Sequence, residues 1–317
     1  MQKNNQRKKL FLKFLNFYWL RPEKALLHTF RSEKYMKTFK YFKSPSLDVS
    51  CGDGVYSFFS HGGELSTECD QYQSLKKDRI NNKNLSYDLY DDYKENDYKI
   101  IVKKKSKKKF DYGSDYKLNL IKKSKKLNLY RNFILHDNNK KFPSNLNKFN
   151  YIYANSAYWV KNFEDHILDL VNMTNKNGKL VLSLKGKEIS KKNFLNEIKN
   201  ILGNNAYKIL DRGRRESWKG LKKYDYYINF LKKIKNCKIL SIEPVFDTKL
   251  LNIWDIGLRP IFKPLVLMIN NKNKIQIKKS KKLLVEIIYS LFEKFISNYK
   301  PKNKNAVEWV VVLEKIR

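Results

Sequence analysis

The stretch SLDVSCGDGVYSFFSHGG (residues 46–63) decides how the rest of the chain is read. A short apolar run, Leu47 to Val49, enters a turn holding Gly52 and Gly54, and an aromatic helix follows that stops at Gly62-Gly63. Strand, glycine turn and helix in this order make a site for a nucleotide or nucleoside cofactor. Glycine lets the backbone approach a ligand, and a helix start presents free N–H groups. The spacing is Asp48-x-Ser50-x-Gly52-x-Gly54, an acid ahead of a glycine frame whose first position is serine. A carboxylate there is a liability beside a pyrophosphate and useful beside a cationic ligand.

Downstream the chain alternates. FDYGSD (110–115) is a strand ending in Asp115, and KLNLIKKSKKLNLY (117–130) a helix with Leu120, Ser124 and Leu127 on one face. NFILHD (132–137) and FNYIYANS (149–156) are strands that end at Asp137 and Asn155. Residues 163–178 form a helix closed by Gly178, 179–184 a buried strand, and 191–202 a helix capped by Gly203. Two last strands lie at 238–244 and 306–315. Such alternation predicts a parallel α/β sheet. Polar sequence with the run KKKSKKK (103–109) makes 64–109 an insertion, at least partly mobile. Residues 1–44 are a helical extension. Lys13 interrupts its apolar stretch LFLKFLNFYWL (10–20), so it is no signal peptide but a helix packed on the domain or lying on a membrane, the former preferred.

Together with DVSCGDG, the stretch HDNNKKFPSNLNKFNYIYANSAYWV and its continuation to Leu184 resembles class I, Rossmann-like SAM-dependent methyltransferases, and is similar to their type 11 domain. The family pattern is D-x-G-x-G-x-G, then D-x-x-x-LPF and FD-x-V-x-S. This chain departs from it at Ser50, at Phe142-Pro143 without a preceding Leu, at Asn150 in place of Asp, and at a single Gly178. The resemblance spans 45–184 and extends weakly to the last two strands. It implies a mostly parallel sheet with an antiparallel last strand, helices on both faces, and S-adenosyl-L-methionine (SAM) as cofactor. Asp48, Ser50, Cys51, Gly52 and Gly54 would form the turn. Asp115 would hold the ribose hydroxyls (Asp70 being the alternative), Asp137 the adenine amino group, and Asn155 the methionine arm. The domain would run from 45 to 317, with insertions at about 64–109 and about 245–305.

The acceptor should lie over Tyr158 and Trp159, covered by DRGRRESWKG (211–220) with Arg214 and by the crossover carrying Trp254 and Arg259. Trp faces stack on rings, and Arg reads hydroxyls or phosphates. A looser similarity to bacterial methyltransferases near surface-polysaccharide genes implies a small-molecule, sugar or lipid-linked glycan acceptor, methylated on oxygen. A basic, aromatic N-terminal segment suits peripheral contact at the inner membrane face. The alternatives are an RNA methyltransferase using a lysine-rich surface and a degenerate SAM-binding scaffold. The 317 residues carry 67 Lys+Arg against 31 Asp+Glu, a net +36. Only 10 of the 67 are Arg, which reads as compositional bias more than as selected phosphate clamps. Three cysteines without a CxxC pair exclude a disulfide framework and a zinc module, imply no metal, and suit the cytoplasm. His166 reads as structural, His136 as pointing away from the pocket, and His61 as solvent-facing.

Overall fold

In the computed structural model, which describes residues 2–73, 95–191, 200–201, 203 and 220–317, the strands in chain order are β1 (Ser46–Val49), β2 (Glu64–Leu65), β3 (Val102–Lys104), β4 (Phe110–Asp115), β5 (Tyr130–Leu135), β6 (Phe149–Ala154), β7 (Thr174–Lys185), β8 (Cys237–Asp247) and β9 (Ala306–Lys315). Seven of them form one sheet in the order β5-β4-β1-β6-β7-β9-β8, while β2 and β3 pair as a separate ribbon. The pairs β4–β5, β1–β4, β1–β6 and β6–β7 are parallel, and β9 runs antiparallel to both β7 and β8. Helices on both faces complete a Rossmann-like α/β sheet, mostly parallel with an antiparallel β9: α1 (Gln2–Phe17), α2 (Pro22–Met36), α3 (Val55–Ser60), α4 (Leu118–Lys125), α5 (Phe163–Asn172), α6 (Glu188–Lys191), α7 (Tyr224–Lys233), α8 (Thr248–Asn252), α9 (Phe262–Asn270) and α10 (Lys274–Asn298), with a π-helical turn at Ile253–Leu258.

Strand periodicity sorts the core into two halves. Leu47 and Val49 of β1 pack with Ile152, Ile167, Leu170 and Tyr227 on one face, where α5 and α7 lie. On the other face Tyr151 and Tyr153 pack with Phe14, Phe30 and Phe59 under α1, α2 and α3. The helix expected at 117–130 is realised as the shorter α4, and the one expected at 191–202 lies largely outside the described residues.

The N-terminal extension is a roof on that second face. Leu10, Phe11, Phe14, Leu15 and the run Phe17 to Leu20 are all 5% exposed or less. Arg7 fastens the roof: its Nε donates to Glu33 of α2 at 2.8 Å, and Nη1 donates to the carbonyls of Ile296 and Tyr299 at 2.7 and 2.8 Å. The expected peripheral membrane contact through the N-terminal segment is therefore corrected, because the apolar side chains that would make it are consumed by the core.

One further expectation changes. His61 does not face solvent. It is buried, its Nε2 lies 3.1 Å from the Tyr35 hydroxyl, and the Phe39 ring is 4.1 Å away. Desolvation drives its pKa down to about 3. At the end of 64–109, Lys107 N donates to the His61 carbonyl, Lys108 Nζ to that of Phe39, and Lys109 Nζ to Asn128.

His166 on α5 is buried with neither ring nitrogen hydrogen-bonded, and desolvation lowers its pKa to about 4. A depressed histidine stabilises the fold while neutral, and that contribution is lost as pH falls from its ordinary 6.5 through about 4, on the order of 3 kcal/mol in all. His166→Phe should remove this acid sensitivity. Thermal melts should show a variant-minus-wild-type Tm difference that grows steadily between pH 7 and pH 4.5.

Candidate active site

The carboxyl ends of β1, β4, β5 and β6 share one edge of the sheet, and the loops leaving them bond to one another. Cys51 N donates to the Ser114 carbonyl at 2.8 Å, which lays the turn after β1 along the end of β4. Gly52 N donates to Asp115 Oδ2 at 3.0 Å, and Lys117 N donates to Oδ1 at 2.9 Å. Burial raises the Asp115 pKa, and these two N–H groups oppose the rise. His136 N donates to the Asp115 carbonyl at 3.0 Å, which brings the loop after β5 alongside. There Asn138 Nδ2 donates to Ser50 Oγ at 2.7 Å, while Asn139 caps Asp137 and accepts from Lys161 N at 2.8 Å. Asp137 is exposed, and its bonds from Asn139 hold its pKa below the usual carboxylate range.

The turn itself is left-handed at three positions, with φ of 57° at Ser50, 60° at Gly52 and 74° at Gly54. Ser50 adopts a conformation that disfavours L side chains, and its bond to Asn138 helps hold it there. At Gly54 an added Cβ would meet Leu127, Ser124 and Tyr130 at 3.1 Å, so this glycine is needed for packing. At Gly52 nothing lies within 4 Å of an added Cβ. Bare backbone there borders open space, as a cradle for a ligand requires.

Asp48 faces away from this cradle. Its carboxylate is 1% exposed beneath the turn and accepts from Ser57 of α3 at 2.6 Å and Tyr130 of β5 at 2.7 Å. Desolvation outweighs those bonds and raises its pKa to about 7. Cys51 is a buried thiol pushed up by desolvation and the nearby carboxylates, so it is no nucleophile at neutral pH. Asp70 lies apart, beside α10, accepting from Lys281 at 3.2 Å and from Tyr72 N at 2.8 Å. Asn155 and Ser156 follow β6 directly, half-buried, and lead to a buried Tyr158 and a Trp159 that is 60% exposed.

Among the acceptor candidates, Arg214 lies outside the described residues. Trp254 and Arg259 are brought together but enclosed: both are buried, the guanidinium lies 5.0 Å over the indole, and it donates to Asp255 at 3.0 Å. They sit on the same face of the sheet as α3, packed against the core under α2. Beside Tyr158, Lys185 Nζ lies 4.7 Å from its ring, and Arg31 of α2 forks onto the fully buried Glu308 at 2.5 and 2.7 Å.

Sequence reasoning missed three contributors. Asn138 and Asn139 looked like loop residues, and their roles depend on neighbouring strands. His28 of α2 belongs to no motif. It is 7% exposed among the rings of Tyr56, Phe14 and Tyr18, with centroids at 5.0, 5.4 and 5.4 Å, and its Nδ1 has no hydrogen-bond partner. Burial, aided by Lys24 and Arg31, holds its pKa well below 6.5, so the imidazole is neutral at pH 7. Tyr56 is only two residues beyond Gly54, which puts His28 one ring away from the start of α3. The other buried histidine near the edge, His136, stacks on Phe142 at 3.8 Å. Among the described residues, no group of three His, Cys, Asp or Glu side chains is disposed to hold a metal.

No family model and no curated protein matches this chain. Among solved structures it is similar to the plantazolicin methyltransferase BpumL in complex with SAH, at 12% identity over 98% of this chain and 96% of the other, with a TM-score of 0.44. It is also similar to a SAM-dependent methyltransferase from Thiobacillus denitrificans in complex with S-adenosyl-L-homocysteine, at 9% identity over 90% and 91% of the two chains, TM-score 0.44. The N-methyltransferase NodS from Bradyrhizobium japonicum WM9 is similar at 9% identity over 93% and 98%, TM-score 0.41.

Asp48 yields a pH signature opposite to that of His166. A carboxyl with a raised folded pKa favours the native state while protonated, a contribution present below about 4 and lost as pH rises through about 7. Asp48→Asn keeps an acceptor for Ser57 and Tyr130 and carries no charge. Its Tm should match that of the wild type at about pH 4, pull ahead as the pH rises, and exceed it by several degrees at pH 8.

Proposed function

We propose that this protein is a SAM-dependent methyltransferase. The observation that carries the reading is the bond between Gly52 N and the Asp115 carboxylate, which joins an open, left-handed glycine turn to the acid at the end of the neighbouring strand. In this reading Asp115 and Asp137, at the ends of β4 and β5, bind the ribose hydroxyls and the adenine amino group. Gly52 lets the backbone come close, Ser50 and Cys51 shape the turn, and Asn155 orients the methionine arm. Asp48 acts from below as a positioning residue. When bound, SAM supplies an electrophilic methyl group on a sulfonium.

The acceptor is a small molecule, a sugar or a lipid-linked glycan, methylated on oxygen in the cytoplasm. Trp159, the exposed ring beyond β6, stacks on it, and Tyr158 with the enclosed Trp254 and Arg259 forms the wall behind. Transfer is an in-line displacement, so the chain's main tasks are alignment and exclusion of water. A hydroxyl acceptor must also give up a proton, and neutral His28 is the group on α2 suited to take it.

Titration calorimetry tests the cofactor assignment. Asp115→Ala removes a charge-assisted acceptor and should weaken SAM binding at least tenfold. Asp70→Ala should leave it within threefold. NAD binding without SAM binding would overturn the reading. His28→Gln should leave SAM affinity within a few-fold while turnover on the acceptor falls by about two orders of magnitude, in keeping with the loss of a general base.

A further inference from the structure

The outer face of α10 is apolar where it has no reason within the fold to be. Leu283, Ile287 and Leu291 recur at four-residue spacing and are 59, 47 and 68% exposed, while Val285, Ile288 and Ile296 on the opposite side are buried. The helix is held firmly: Lys8 of α1 reaches Glu293 at 2.7 Å, the Phe11 and Tyr289 rings stack at 6.2 Å, and a capping box of Asn273 and Gln276 fixes its start. The exposed stripe is thus carried on a rigid element, not on a frayed end.

Charge surrounds the stripe. Over Lys274–Asn298 the helix has six Lys against two Glu, of which Lys281 is buried on Asp70 and Lys278 is paired with Glu68. Where the helix ends, a cavity of about 330 Å³ opens beside the end of β8, bounded by Asp247, Lys249, Lys294, Phe295, Lys300 and Lys302. All four lysines are exposed. The one acid is already engaged, since Asp247 accepts from Tyr299 Oη, Lys249 N and Lys302 N at 2.8, 3.1 and 3.0 Å. Two of the helix-terminal carbonyls, those of Ile296 and Tyr299, are taken by Arg7. The cavity therefore presents ammonium groups with little competing negative charge.

From this juxtaposition we infer that α10 and the lysine-ringed cavity dock the protein on an anionic lipid bilayer. Leu283, Ile287 and Leu291 enter the acyl boundary, and the cavity takes a lipid phosphate. An in-plane amphipathic helix with a lysine-rich polar face binds in this manner, by apolar burial and attraction to anionic headgroups together. A second copy of the chain is the weaker occupant, because pairing two such faces would bring two lysine-ringed surfaces together in a chain of net +36. The inference concerns a surface distinct from the turn after β1 and stands whether or not the protein transfers methyl groups.

Sedimentation of the full-length protein with vesicles tests it. Vesicles of phosphatidylcholine with 30% phosphatidylglycerol should pellet the protein and pure phosphatidylcholine should not, and added salt should weaken the binding. The triple variant Leu283→Asn, Ile287→Asn, Leu291→Asn should keep the wild-type Tm and lower partitioning at least tenfold. Replacing Lys249, Lys294, Lys300 and Lys302 with Gln should abolish the preference for anionic vesicles. Equal binding to both vesicle types, or wild-type binding by either folded variant, would overturn the inference. So would a dimer in sedimentation velocity that the triple variant dissolves, which would assign the face to a second copy.

Discussion

One buried carboxylate organises the centre of the molecule. Asp48 sits on the middle strand of the parallel region and binds α3 through Ser57 and β5 through Tyr130, two strands away. A charge at that depth would be costly, so the group holds its proton up to about pH 7 and serves as a hydrogen-bonding bracket. What it fixes is the path of the chain between β1 and α3. Every contact above depends on that path: the Asp115 bond to Gly52, the Asn138 bond to Ser50, and the bare cradle over Gly52.

The surroundings of the turn are built from distant parts of the chain. The roof of α1 and α2 places His28 and Arg31 over the carboxyl edge, and Arg31 anchors α2 to β9 through Glu308. The crossover between β8 and β9 adds Trp254, Asp255 and Arg259 from the side as one enclosed cluster. The glycine turn and the enclosed Trp254–Arg259 cluster thus come from parts of the chain some two hundred residues apart.

The legible parts of the sequence were those governed by short-range rules. Strand periodicity located β4, β5, β6, β8 and β9 to within a few residues and glycine spacing marked the turn after β1, whereas the helix expected to close at Gly178 ends at Asn172 and Gly178 lies inside β7, which begins at Thr174. Asp48 illustrates the limit of such reading: its place beside the glycines suggested a ligand contact, but the inward side of a four-residue strand aims it at Ser57 and Tyr130 instead. Long-range partners were not legible. Nothing near His61 announces Tyr35 and Phe39, and the apolar N-terminus showed two uses until Arg7 and its partners on α2 and α10 decided between them. Exposure was equally hidden, because α10 is apolar on two sides and only packing separates Val285 from Leu283.

The Arg7 clasp also bears on how the protein is made. Its two carbonyl partners lie 289 and 292 residues further along the chain. At a ribosomal pace of roughly 5–20 residues per second, α1 waits roughly 15–60 s for the helix that completes its seat. Throughout that wait Phe11, Phe14, Phe17, Tyr18 and Trp19 have only part of their final cover. An aromatic segment left open so early is an invitation to aggregation or to a holding chaperone. The lysines at positions 8, 9 and 13, set among those rings, keep the nascent segment charged and act as gatekeepers until the last helix arrives.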